Sequence, residues 1–492
     1  MFKKTDHDPV CHDNPKARAQ SLAGSKRVHA NYTLKLPRGS ACMYENGQND
    51  HNMRLVNATI LDLDQPAVRH GDVRIENGVI TSVEDANAMC FRGSGEEQAD
   101  CFRMLLMPGL TVGHTHLYSS LAAGMPPPAR APGNFTEILD MVWWKLDRAL
   151  DDESIACGAL AGAAQAALCG ATTIVDHHAS PNAISGSLDL IRDALAEIGL
   201  RGVLCYEVTD RNGAVQAREG IAENERFLSR VVSSADGRHG YFSGMAGAHA
   251  AFTLGDKSLR AVGELASAFG TGVHIHCAED PADEKLCRKL HGAGLVERLD
   301  RFGILRPGTM LAHCTHLTEG EIQRVQDAGC WIIHNPRSNM NNSVGYANVA
   351  RMRPELTALG TDGIDNNMFA ESKASYFKIR DAGTGLGMSD ALGQLAGSSR
   401  MASQRLGVKL GRIGPGAAAD LVLLDYEPAT PLHTGNVAGH WFFGLDARHV
   451  HSVMVGGRWI VRNRQLVSET ARARLAEAPR VAARLWERFR AL

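Results

Sequence analysis

The stretch MPGLTVGHTH (107–116) decides how this chain is read. Its apolar run suits a buried strand, and it closes on His114 and His116. Alternate residues of a strand share a face, so both imidazoles can reach one ion. An isolated His-x-His pair is usually a chance occurrence; the weight of this one comes from the pattern downstream of it. Apolar strand-like runs alternate with helix-like runs, and the strand candidates end near His114, Asp176, Glu207, His249, His276, His313, His334 and Asp362. This alternation predicts an α/β protein built on a (β/α)8 TIM barrel, a fold whose active sites lie at the C-terminal ends of the strands. Most of the candidate strands close on His or a carboxylate, so polar residues collect where that fold places chemistry.

Outward from the barrel, both ends of the chain turn β-rich. MRLVNATILDLD (53–64) and GDVRIENGVITSVED (71–85) read as short strands, with a hairpin signal at Glu76-Asn77-Gly78. GRIGPGAAADLVLLDYE (411–427) and HSVMVGGRWIVRNRQLV (451–467) repeat the pattern near the other end, with turns at Gly414-Pro415-Gly416 and Gly456-Gly457. The economical arrangement pairs the two ends into one small β-domain. The expected divisions are a disordered tail over 1–52, the two parts of the β-domain at 53–107 and 408–467, the barrel at 108–407, and a C-terminal surface helix at 468–492. The tail is assigned on its lack of periodicity and its polar composition.

Composition excludes several function classes. Hydrophobic residues make up 44% and charged residues 22% of the 492, with a formal charge of −2. That is an ordinary soluble balance and carries no basic excess for nucleic acid. The 11 Cys are odd in number, scattered and free of any C-x-x-C, which argues against a disulfide framework or a thiolate zinc site. No apolar run is long enough to span a membrane, and the first residues lack the apolar core of a secretory signal. A cytoplasmic enzyme acting on a small molecule, without nucleic-acid or membrane partners and assembled as a homodimer, is expected.

The candidate chemistry lies in three further motifs. His276 sits in GVHIHCAED; His274 shares its strand face but lies deeper, as a packing or supporting residue. Glu279 comes just off the strand end, where a carboxylate can sit beside a metal-activated water or be merely a solvated loop charge. His313 ends TMLAHCTH, and Asp362 lies in TALGTDG, which is also turn-like. Together these give His and Asp ligands for one divalent ion, with a Glu and a further His to handle protons. Zinc suits such a set, with ferrous iron the alternative. Asn134 to Leu150 carries an apolar stripe at helical spacing behind an N-x-x-E cap signal, so Trp143 and Trp144 either roof the pocket or pack in the core. Arg211 either grips a substrate oxygen or pairs with an Asp, and one of His177 and His178 faces the pocket or is held structurally. Asn335, Ser338 and Asn339 are placed at the pocket rim.

The set MPGLTVGHTH, HIHCAED, LAHCTH, IIHNPRSN and LGTDG resembles the amidohydrolase superfamily, in the branch of cytosine, guanine and S-adenosylhomocysteine deaminases and triazine hydrolases. The segments WWKLDRALDDES, TTIVDHHASP, CYEVTDRNG, GAHAAFT, NPRSNMNNSVGY and GTDGIDNNMF are similar to the SsnA-type group of aminohydrolases within it. The resemblance runs from about Met53 to the end. It implies metal ligation by His114, His116, His276 and Asp362, a proton-shuttling Glu279, a charge-stabilising His313 and a substrate-contacting His249. The strand ending at His249 carries no Lys for a carbamate bridge, which implies a single metal. Val112-Gly113, where relatives often carry Asp or Asn, departs from the pattern.

These roles imply a hydrolytic reaction. The metal lowers the pKa of water towards ~7. Asp362 accepts the water proton, Glu279 delivers a proton to a ring nitrogen or leaving group, and His313 stabilises developing charge. The expected reaction is hydrolytic deamination of a purine-like or pyrimidine-like heterocycle. Hydrolysis of a cyclic amide and a non-catalytic barrel scaffold are the alternatives.

Overall fold

Short strands that bury one face draw the two ends of the chain together. The computed structural model describes residues 52–85 and 97–492. Except for Asn52, the segment 1–52 expected as a tail lies outside the described residues. From the N-terminal side, Met53–Asp62, Ala67–Glu76, Val79–Asp85, Glu97–Asp100 and Leu105–Pro108 join Leu421–Leu424, Val450–Val455, Arg458–Arg462 and Gln465–Leu466 in one nine-stranded mixed sheet. The seam is antiparallel, pairing Met107 with Val422 and Leu105 with Leu424. Leu55, Ile60, Val73, Ile75, Ile80, Leu106, Leu421 and Leu423 bury one face in a shared apolar cluster. The hairpin expected at Asn77-Gly78 is present, with φ of 51° and 78° at the two turn residues, as a two-residue turn between twisted strands requires.

The middle of the chain forms two parallel sheets with helices between their strands. The first holds β1 (Leu110–Thr115), β2 (Ala171–His178), β3 (Arg201–Tyr206) and β4 (Phe242–Gly244) in that order. The second holds β5 (Ala246–Ala250), β6 (Val273–Cys277), β7 (Met310–His313), β8 (Trp331–His334) and β9 (Thr357–Leu359). The strand positions expected from sequence are all occupied. The ladders, however, do not run unbroken around one barrel. Met245 separates β4 from β5, and the register shifts in β1 and β5. Isolated parallel bridges join Thr115 to Asp362 and Val208 to Ala248 across the gaps between the sheets. At the first gap a glycine is needed: a Cβ on Gly113 would lie 2.4 Å from the Leu359 carbonyl oxygen.

Two helical segments differ from the sequence expectation. Asn134 does cap its helix, accepting from the Glu137 N–H, but Glu137 turns to the Gly133 N–H and Arg130 instead of completing the box. The single helix expected through Leu150 is broken: Phe135–Ile138 passes into a π-helical turn at Leu139–Trp143 before Trp144–Ala149. The terminal segment is two helices, Glu469–Leu475 and Ala478–Ala491, with Pro479 fitting the start of the second. The second buries Val481, Leu485 and Phe489 and ties down through Trp486 Nε1 to the Leu121 carbonyl at 2.9 Å. Among the described residues, no helix is long and apolar enough to cross a membrane.

Candidate metal centre and its pocket

β1, β6 and the loop after β9 bring His114, His116, His276 and Asp362 to one point. His116 Nε2 lies 3.2 Å from His276 Nε2 and 3.0 Å from Asp362 Oδ1, and His114 Nε2 lies 3.7 Å from the same carboxylate oxygen. The tautomers can be read from their outer partners. A carbonyl only accepts, so His116 Nδ1 donates to the His177 carbonyl at 2.6 Å and His276 Nδ1 to that of His249 at 3.0 Å. The Cys205 thiol donates to the Asp176 carbonyl, so its sulfur accepts from His274 Nδ1. His274 Nε2 is then free to accept from His114 Nδ1 at 2.9 Å. With all three imidazoles neutral, every Nε2 therefore points a bare lone pair at the others and at a carboxylate. His114 Nε2 has no hydrogen-bond partner, although the residue is fully buried.

Such a cluster is repulsive unless a cation sits among the donors. A tetrahedral zinc with bonds of ~2.0–2.1 Å sets its donors about 3.3 Å apart, which the observed spacings bracket. The outer contacts through each Nδ1 are those that fix a metal-binding imidazole. Electrostatics agree. Burial opposes a charge on His116, yet Asp362 and Glu207 outweigh it and raise the imidazole well above its ordinary value. Two carboxylates that hold a proton there hold a metal ion by the same attraction. Burial likewise works against ionised Asp362, but His114 and His116 keep its carboxyl well below the usual range.

Glu279 and His313 face this cluster. Glu279 Oε2 lies 3.4 Å from His313 Nε2, and its other oxygen accepts from Asn342 Nδ2 at 3.3 Å. His313 Nδ1 lies 3.3 Å from the Asn339 amide oxygen, nearer than the Asn335 amide nitrogen at 3.5 Å, so it carries a proton and leaves Nε2 bare. One proton shared between Glu279 and His313 satisfies both. Burial, reinforced by the Asp362 charge, pushes the Glu279 carboxyl well above the usual range and favours that protonated form. The backbone is strained in the same places: Ala278, His313, Cys314 and Asp362 all have φ between 47° and 74°.

The pocket beside the cluster is lined by His116, Tyr118, Phe135, Trp143, Trp144, Asp147, Glu207, Arg211, His249, Phe252, Glu279 and Asp283, among others. Both tryptophans that the sequence left between roof and core therefore line it, which the π-turn makes feasible by advancing the helix phase. Arg211 is ion-paired with buried Asp147 and lies over the Trp144 ring at 4.9 Å. His249 lines the wall, and burial lowers its pKa well below the ordinary value. Ser338 donates to Asp362 Oδ2 and Asn339 supports His313, so these rim candidates act directly on site residues. His334 ends its strand fully buried, without a hydrogen-bond partner for either ring nitrogen.

Other members of the site are less marked in the sequence, where Glu207 is only a strand end and His177 one of a pair left between pocket and structural role. His177 stacks on His274 with centroids 4.3 Å apart and offers a nitrogen within 4.8 Å of those of His114, His116 and His276. Glu207 Oε1 lies 3.2 Å from His116 Nδ1. Asp283 accepts from the Glu279 backbone N–H at 2.9 Å, and Asn342 reaches the Glu279 side chain. Asp283 carried a signal, four residues after Glu279 in EDPAD at the start of the next helix. Asn342 carried none beyond its place in a polar loop.

The chain as a whole has counterparts among known proteins. Residues 105–460 match the amidohydrolase family profile. The chain is 28% identical over 431 residues to a 5-methylthioadenosine/S-adenosylhomocysteine deaminase of Desulfitobacterium hafniense, covering 84% of this chain and 94% of that one. It is 30% identical over 380 residues to a 5'-deoxyadenosine deaminase of Methanopyrus kandleri, covering 74% and 82%. A zinc-bound adenosine deaminase from Xanthomonas campestris shares the fold at a TM-score of 0.77 and 22% identity, over 88% of this chain and 98% of that chain. The zinc complex of atrazine chlorohydrolase from Arthrobacter aurescens does so at 0.74 and 19%, over 87% and 100%.

Proposed function

This chain belongs to the amidohydrolase family, and from that premise we propose that it removes an amino group from a purine ring, as a free base or in an adenosine-like nucleoside, releasing ammonia. The observation that carries the reading is the set of three bare imidazole nitrogens and one carboxylate closing on a point, with the Glu279–His313 pair beside it. The curated relatives that deaminate adenosine derivatives support the purine ring as the substrate class.

In this proposal His114, His116, His276 and Asp362 hold one divalent ion, with zinc favoured by the N and O donors. When bound, that ion acts as a Lewis acid that makes water a nucleophile near neutral pH. Asp362 takes the proton the water loses as its oxygen bonds to the amino-bearing ring carbon. Glu279 gives its proton to the adjacent ring nitrogen. His313, held through Nδ1 by Asn339, orients Glu279 for that transfer. The proton taken by Asp362 then passes to the amino group as the C–N bond breaks, the remaining hydroxyl proton of the attacking oxygen returns to Glu279, and ammonia leaves with the carbonyl product formed. Trp143 walls one face of the ring. Arg211, its charge matched by Asp147, offers its remaining N–H groups to a neutral acceptor. His249 contacts the substrate.

We further propose that the two parallel sheets form a single (β/α)8 barrel over 108–407, that the nine-stranded sheet over 53–107 and 408–467 is its companion domain, and that the chain falls in the SsnA-type group. The assembly proposed is a homodimer, for which exposed Phe377 and Phe443 on adjoining helices offer an apolar seat. The test of function is ammonia release by the zinc-loaded protein from a panel of purine and pyrimidine bases, nucleosides and 5'-deoxynucleosides. Loss of the purine chromophore without ammonia would instead mean hydrolysis of a cyclic amide.

A further inference from the structure

The pocket wall at His249 has a fixed hydrogen-bond polarity. His249 is on β5, and the turn Ala251–Thr253 just after it brings the Thr253 hydroxyl 3.0 Å from His249 Nδ1. The same hydroxyl lies 3.0 Å from the Ala250 carbonyl oxygen. A hydroxyl has one hydrogen, and a carbonyl can only accept, so that hydrogen goes to Ala250. The Thr253 oxygen is then left as an acceptor towards His249, and Nδ1 must carry the imidazole proton. Nε2 is bare. Its neighbour bears this out independently: the Trp144 indole, which can only donate, points Nε1 at His249 Nε2 across 3.4 Å.

We propose that Thr253 is a positioning residue that sets His249 as a hydrogen-bond acceptor, so that this edge of the pocket selects a substrate group that donates, an N–H or an O–H. A ring nitrogen with only a lone pair is rejected there, because two acceptors would face each other in a buried place, where an unmade hydrogen bond is costly. The contact with Trp144 is long, so a substrate donor can compete for the lone pair as the indole shifts aside. The polarity of His249 rests on hydrogen-bond geometry alone; its bearing on substrate choice rests on the proposed deamination.

The test combines a spectrum with a kinetic split. In nitrogen-15 NMR of the zinc-loaded protein, with the His249 signals assigned by their loss in His249→Gln, Nδ1 is expected to be protonated and Nε2 bare. Thr253→Val, which keeps the shape and removes the acceptor, should let the proton move to Nε2. On a purine that releases ammonia it should raise KM about tenfold, the worth of one hydrogen bond, with kcat reduced no more than about threefold. Thr253→Ser should restore both the spectrum and KM. A wild-type protein protonated at Nε2, an unchanged KM in Thr253→Val, or loss of zinc from that variant would each overturn the proposal. If no purine releases ammonia, the deaminase reading falls, while the wild-type spectrum still decides the polarity of His249.

Discussion

Asp362 carries several demands at once. One carboxylate oxygen faces His114 and His116, the other accepts from Ser338, its N–H reaches the His114 carbonyl, and its φ is 52°. Backbone strain of this kind costs about 1–3 kcal/mol and persists only where the surroundings enforce it. At this scale Glu279→Gln should keep the metal and lower kcat by ~10²–10⁴-fold, because glutamine preserves shape but cannot carry the proton. Elemental analysis beside kcat checks it; a metal-free variant would make Glu279 a ligand, and a near-normal kcat would make it a bystander. His274→Ala should act on affinity instead. It removes the partner that fixes His114, and zinc binding should weaken by ~10–100-fold in a competitive chelator titration. The residues proposed as ligands were legible in the sequence because His-x-His at a strand end constrains its own geometry. His177 and Glu207 were legible only as polar strand ends without a settled role, and Asn342 was not, because their contacts are made to residues of other elements.

Among the elements, the segment over the pocket departs most from its sequence pattern. Apolar residues at 135, 138, 139, 142, 143 and 146 fit an uninterrupted helix, and nothing in that spacing marks the π-turn at Leu139–Trp143. The turn inserts one residue of phase, and this lets adjacent tryptophans both line the pocket. π-turns occur mostly as single insertions at functional sites. Deleting Met141 should therefore restore a regular helix and swing one indole away. KM should rise about tenfold through the lost aromatic wall, with a small change in melting temperature. An unchanged KM would show that the turn has no part in binding. The strands were easier to read, since their apolar runs and polar ends coincide. The break at Met245 was hidden, because a bend between sheets leaves the hydrophobic pattern intact.

At the scale of the molecule, a buried ion pair ties the composite sheet to the parallel strands. Arg201 on β3 makes a two-pronged pair with Asp420, at 2.8 Å for each contact, with both side chains buried. Asp420 also accepts the Gly456 N–H from a neighbouring turn. Arg201→Met should strand that carboxylate and cost ~3–5 kcal/mol in urea unfolding. A loss under about 1 kcal/mol would mean the two layers hold by apolar contact alone. The pairing of the chain ends could be foreseen from their matching strand patterns, whereas this ion pair could not, since 219 residues separate its partners. At the centre of the molecule, one divalent ion in the His114–His116–His276–Asp362 cluster is proposed to drive deamination. The most direct test titrates zinc into chelator-stripped protein while ammonia release from the purine panel is monitored. Activity should rise linearly and saturate at one ion per chain, and His276→Ala should lack it. Turnover by the stripped protein, or saturation only at two ions per chain, would contradict a single catalytic ion.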